Sequence, residues 1–163
     1  MGRVPTLLVE HAGLVPAALL LVVLGCAGAG WVARARPRAL RWLTGLALVP
    51  VLGLTLAPDD RGRVHARCEV AFALPSPGGV ELLANVALFV PVAVFAVLLL
   101  RRPLPVVAAG SLLSAGIEGV QALATGLGRS CTTNDWAMNT LGAVLGAVAG
   151  VAVLRVGRVA PEG

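Results

Sequence analysis

The sequence predicts an all-α fold, a polytopic membrane bundle of about five transmembrane helices with the N-terminus outside and the C-terminus inside. Three observations predict it. The 163-residue chain is 58% hydrophobic and only 13% charged, whereas a soluble domain is about 45–50% apolar and about 25% charged. The apolar residues gather into long runs separated by short polar or proline-containing segments. The basic residues, all arginine, are distributed unevenly between those segments. So little charge, spread over several loops, reads as topology determinants and lipid-headgroup contacts rather than a nucleic-acid footprint.

The first run, Ala12 to Val32, is long enough at 1.5 Å per residue to cross about 30 Å of hydrocarbon. It exceeds a signal-peptide core and is followed by Arg34, Arg36, Arg38 and Arg41, so an uncleaved anchor is expected. The segment before it is short and weakly polar, with Arg3, Glu10 and His11. The second run, Trp42 to Ala57, contains Pro50, which predicts a kink. Trp31 and Trp42 flank the arginine cluster as interfacial anchors do. A loop from Pro58 to Gly79 carries Asp59, Asp60, Arg61, Arg63, Arg67, Cys68 and Glu69, then the turn-forming PSPGG at 75–79. The third run, Val80 to Leu100, contains Pro91 and is stopped by Arg101, Arg102 and Pro103. The fourth runs from Leu104 to Thr125, and the fifth from Asp135 to Val156, with Arg155 and Arg158 at its end.

Orientation follows from the arginines. One side holds the 34–41 cluster, Arg101, Arg102, Arg155 and Arg158; the other holds Arg3, Arg61, Arg63, Arg67 and Arg129, diluted by Asp59, Asp60 and Glu69. An excess of Arg marks the inner side. The chain divides into an N-terminal two-helix region, 1–60, and a membrane domain, 61–158, of three helices with their outer loops.

With that topology the misplaced polar residues converge. Glu81 and Asn85 open the third span, Glu118 and Gln121 close the fourth, and Asp135 and Asn139 open the fifth, all on the outer face with Arg129. Ser111, Ser114, Glu118, Gln121 and Thr125 step by three and four, so they form one stripe along the fourth helix. Asp135 and Asn139 continue into Gly142, Gly146 and Gly150, a repeated GxxxG face for close packing of another helix, in this chain or in a second copy of it. The expected result is an outward-facing polar pocket.

Each residue also has a structural reading. Asp135 and Glu81 sit where a carboxylate complements a helix N-terminus. Asn85, Gln121 and Asn139 can serve as interhelical hydrogen-bond partners. Glu118 lies about 10 Å inside its helix end and caps nothing there. It is therefore assigned a functional role, with Arg129, folding back over the mouth, as its expected partner. Among the cysteines, Cys26 reads as a small packing residue within the first span. Cys68 and Cys131 share the outer side, where a disulfide is favoured. No CxxC or His-rich spacing exists, and neither a metal nor another cofactor is expected.

At these residues the sequence resembles the VanZ-like family of small bacterial membrane proteins. The resemblance lies in ELLANVALFVPVAVF at 81–95, SAGIEGVQ at 114–121 and RSCTTNDWAMNTLGAVLG at 129–146. It covers roughly residues 64–155, so the 61–158 domain is the VanZ-like one, and Ala93 departs from the glycine usual after the proline. The resemblance implies a multi-pass protein of the bacterial cell membrane. The family's founding member is associated with low-level resistance to the glycopeptide teicoplanin, so a link to glycopeptide resistance is implied by analogy.

The function expected from the residues together with the resemblance is non-enzymatic binding of a membrane lipid, a lipid-linked cell-wall intermediate or a lipoglycopeptide. Arg129 would meet a phosphate or carboxylate there, with Glu118, Asp135, Asn85 and Asn139 on polar headgroup atoms. One alternative is an intramembrane hydrolase or transferase acting on a lipid phosphate, with Glu118 as general base and Asp135 as metal ligand. Another is a small proton-coupled transporter using Glu118, which would lack the inverted repeat common in transporters.

Overall fold

The computed structural model describes residues 12–58, 68–72 and 80–159. Arg3, Glu10, His11, the 59–67 stretch with its charged residues and His65, and the proline–glycine turn at 75–79 lie outside the described residues. Five helices are long and apolar enough to cross a membrane. They are α1 (Val15–Ala33), α2 (Pro37–Leu56), α3 (Val80–Leu100), α4 (Pro103–Leu123) and α5 (Thr133–Val159). A 3-10 turn, Ala12–Leu14, precedes α1, and another, Thr125–Leu127, follows α4. The fold is the expected all-α bundle.

Helix boundaries differ from the expected runs at the arginine-rich connections, and proline is the reason. Pro37 and Pro103 each occupy the first turn of a helix, where the missing N–H costs nothing and the fixed φ favours helix. So α2 begins at Pro37 rather than Trp42, which makes Arg38 and Arg41 helical, and Pro103 starts α4 rather than only stopping α3. The α3–α4 reversal is made within Arg101 and Arg102. Arg101 adopts a left-handed φ of 55°, and its N–H still bonds the Val97 carbonyl at 2.7 Å. Pro50 and Pro91, by contrast, lie inside continuous helices.

α3 and α5 form the central pair. α1 and α2 pack on α3, and α4 packs on α5. Val86, Phe89, Val90, Val94 and Val97 of α3 are almost fully buried, whereas Leu21, Leu46, Leu104 and Leu112 of the outer helices are exposed. A bundle immersed in lipid has this arrangement, because exposed leucine there meets hydrocarbon rather than water.

The glycine stripe sets the central approach. A Cβ added at Gly142 would collide with the Val86 carbonyl oxygen, and one at Gly146 would lie 2.5 Å from the Val90 carbonyl oxygen. At Gly150 it would lie 3.0 Å from the Val97 side chain. The face that the sequence marks for close packing is thus occupied by α3 of the same chain.

The two ends of the bundle differ in charge. The described acidic residues, Glu69, Glu81, Glu118 and Asp135, lie at one end, which we call the mouth. Among the described arginines only Arg129 lies with them, and the rest sit at the opposite end. There Arg34 stacks on Trp31, 3.7 Å from the ring centroid, and donates to the Trp31 carbonyl at 3.1 Å. Trp42 is exposed, as an interfacial anchor would be.

Candidate functional site

The mouth is assembled from helix ends, and helix ends leave backbone groups unpaired. Much of its polar chemistry answers that need. α2 terminates at Leu56, leaving its last carbonyls without helical partners. Gln121 Nε2 of α4 donates to the Thr55 carbonyl at 2.8 Å, and Arg129 Nε donates to the Ala57 carbonyl at 2.9 Å.

The start of α5 is capped twice. Thr132 Oγ1 accepts from the Asp135 N–H at 3.0 Å, which makes Thr132 an N-cap. In a capping box, the side chain three residues on reaches back to the N-cap N–H. Here that amide donates instead to Glu118 Oε2 of α4, at 2.8 Å. Asp135 accepts from Asn85 Nδ2 of α3 at 2.6 Å, joining α3 to α5.

The expected Glu118–Arg129 pair is therefore corrected. No ion pair is present among the described residues, and the two side chains serve different backbone partners. The reason is local. The loop after α4 turns through Gly128 in the left-handed region, at φ 67°. The Arg129 beyond it serves the end of α2, while the unpaired Thr132 amide takes the Glu118 carboxylate. Glu118 caps nothing in its own helix, but it caps the next one.

The rest of the α4 stripe fastens α4 to α5. Ser114 Oγ accepts from Asn139 Nδ2 at 2.9 Å, with both residues buried. Ser111 Oγ accepts from Trp136 Nε1 at 3.1 Å and from Thr140 Oγ1 at 3.2 Å. Among the described residues, two buried side-chain oxygens, Gln121 Oε1 and Asn139 Oδ1, have no hydrogen-bond partner.

A covalent staple closes the mouth. Cys68 and Cys131 form a disulfide, with Cα atoms 4.5 Å apart. They are register partners in a two-residue parallel bridge between β1 (Cys68–Glu69) and β2 (Cys131–Thr132). Just beyond it, Thr133 Oγ1 accepts from the Ala71 N–H at 3.0 Å and donates to the Ala71 carbonyl at 2.9 Å. The 68–72 segment is thus held against the start of α5.

These elements enclose an open cavity of about 500 Å³. Glu81, Asn85, Gln121, Arg129 and Asp135, all marked by the sequence, line it, together with Glu69, Ser130 and the apolar Leu54 and Leu88. Glu118 and Asn139 are not on its wall; they are 7% and 1% exposed and bond within the helix packing. The two carboxylates assigned as base and metal ligand in the hydrolytic alternative, Glu118 and Asp135, each hold a structural hydrogen bond. No group of three His, Cys, Asp or Glu able to hold a metal ion occurs among the described residues.

Sequence reasoning missed the contribution of α2. Its Thr55 and Ala57 act through backbone carbonyls, which leave no mark in residue type. The only available signal was the helix end before Pro58. It also missed the cap Thr132, although T-x-x-D before an apolar run is a capping signature, and the tie from Thr133 to Ala71.

A family model described as VanZ/LLP1 matches residues 20–154. The match begins within α1, upstream of the stretch that carries the resemblance in the sequence. No curated protein matches the chain at a significant level, nor does any solved structure.

Proposed function

The chain belongs to the VanZ/LLP1 family, and we propose that its mouth cavity binds the headgroup of a lipid-borne molecule of the cell envelope. One observation carries the reading. On the face of α3 next to the polar cavity, an apolar groove of about 290 Å³ runs between α1 and α3, past Val15, Leu19, Val22, Leu83 and Ala87. The groove and the cavity share Ala84 as a wall. Both lie in the mouth half of the bundle. A headgroup in the cavity would therefore have a place for its hydrocarbon chain directly beside it, within the membrane.

The topology supports this. The disulfide lies at the arginine-poor end, and disulfides persist outside the reducing cytoplasm. The cavity then opens to the outer surface, where lipid-linked wall intermediates and lipoglycopeptides are found. A place in the bacterial cell membrane belongs to the same proposal. So does the link to glycopeptide resistance, which would arise through retention of a lipoglycopeptide or of the wall precursor that it targets. Arg129 is the group for the anionic part of such a ligand.

The test uses purified full-length protein in detergent micelles. Binding of a phospholipid is compared, by native mass spectrometry, with binding of its water-soluble glycerophospho headgroup. The lipid is expected to bind at least about tenfold more tightly than the headgroup, since burying even two methylenes contributes about that much. Ala84 is exposed, so Ala84→Phe leaves packing intact and is expected to reduce that advantage by obstructing the junction. Equal binding of lipid and free headgroup would overturn the reading.

A further inference from the structure

We propose, resting on the reading of the cavity as a headgroup site, that the headgroup it takes is zwitterionic: a primary ammonium held against Glu81, Asp135 and Gln121, with an adjacent phosphate or carboxylate on Arg129. The charge of the wall is the first ground. Among the described residues lining the cavity, the carboxylates of Glu69, Glu81 and Asp135 face one guanidinium, that of Arg129. A dianionic pyrophosphate would meet three like charges for every opposite one. An ammonium beside a single anionic group meets the reverse.

The second ground is independent of charge. Gln121 lines the cavity and is 6% exposed. Its amide orientation is determined, because Nε2 faces the Thr55 carbonyl, which can only accept. Oε1 is therefore the free end, and it is buried without a partner. A buried amide oxygen needs a donor. The cavity thus offers oxygen acceptors on Glu81, Asp135 and Gln121, and an ammonium carries three donors and no acceptor.

The third ground is the placement of the carboxylates. Glu81 and Asp135 come from different helices, α3 and α5, and both line the cavity, so two like charges face one space. Asn85 bonds one oxygen of Asp135 but brings no charge. A cation between the two carboxylates removes the repulsion, whereas a neutral hydroxyl does not.

The experiment compares four lipids with identical acyl chains on the full-length protein by native mass spectrometry. They are phosphatidylethanolamine, its N-monomethyl form, its N-acetyl form and diacylglycerol. The primary amine is expected to bind about tenfold or more tighter than the N-acetyl lipid, the scale of a hydrogen bond to a charged group, with the N-monomethyl form, which keeps the charge and two of the three donors, between them. Glu81→Gln is expected to bring the amine and N-acetyl lipids close to parity. Equal binding of the amine and N-acetyl lipids to the native chain, both above diacylglycerol, overturns the ammonium assignment and leaves the headgroup cavity standing. Loss of the N-monomethyl lipid alongside the N-acetyl one shows selection by bulk and also overturns it. Parity of all four lipids overturns the headgroup cavity, and this proposal with it.

Discussion

Glu118 gives the most discriminating perturbation, because a chemical role and a capping role predict different orders of effect. Its Oε2 accepts the N-cap amide of Thr132 at 2.8 Å, and the side chain is buried. In Glu118→Leu the Thr132 N–H keeps no acceptor, and a buried unsatisfied donor costs about 1–3 kcal/mol. In Glu118→Gln the amide oxygen can occupy the same place. Only the difference between a charge-assisted and a neutral hydrogen bond is then lost, about 1.5 kcal/mol at most. Thermal unfolding in detergent should rank native above Gln above Leu. Amide hydrogen exchange should accelerate at Thr132 in the Leu variant and change little in the Gln variant. If Gln and Leu unfold together, and Thr132 keeps its native protection in both, the cap is not what Glu118 supplies.

Two further predictions test the frame around the mouth. Gly146→Ala places a methyl 2.5 Å from the Val90 carbonyl oxygen and 2.8 Å from the Ala93 Cβ, so overpacking should destabilise the bundle by about 1–3 kcal/mol. Gly116→Ala meets nothing within 4 Å and should be neutral or stabilising by up to about 1 kcal/mol; equal melting of the two variants would contradict the packing account. Cys68 and Cys131 should resist a thiol reagent until reduced. Cys68→Ser should then lower stability by about 2–4 kcal/mol and speed exchange across 68–72, whereas prompt labelling of the native chain at Cys68 or Cys131, as distinct from the free Cys26, would exclude the staple.

The fold was legible because lipid imposes a simple rule on sequence. A span must be apolar over its whole length, and a close helix contact must be small. Hence the five runs and the face of Gly142, Gly146 and Gly150 could be read directly, even though the start of α2 could not. Pro37 and Pro103 read as breakers from residue type, but at the first turn they initiate. At the mouth, the convergence of Glu81, Asn85, Gln121, Asp135 and Arg129 followed from antiparallel geometry and helical phase. The pairing did not follow, because the partners of Gln121, Arg129 and Glu118 are backbone groups. Side-chain identity carries no information about which amide or carbonyl a helix end leaves unpaired. Only the course of the loops, set in part by Gly128 and the disulfide, determines that.

The cost of placing an acid in a membrane helix, about 2.5–3.5 kcal/mol at its centre, has to be offset, and the mouth does so in two layers. The deeper layer consists of Ser114, Asn139 and Glu118, which bond across α4 and α5 and leave the cavity wall. It spends its polarity on helix packing and on the α5 cap. The outer layer consists of Glu69, Glu81, Asp135 and Arg129, which line the cavity. Gln121 belongs to both, with its nitrogen on the α2 carbonyl and its oxygen unpartnered. So do Asn85 and Asp135, which join α3 to α5, and Arg129, which bonds the Ala57 carbonyl. The deeper layer gives the mouth a fixed shape, and so its substitution should be read first in stability. The outer layer presents charge on that shape, and so ligand preference rests there. The residue that looked most functional by depth, Glu118, thus holds the start of α5, while on the proposed reading the more exposed Glu81 is the one that would touch a ligand.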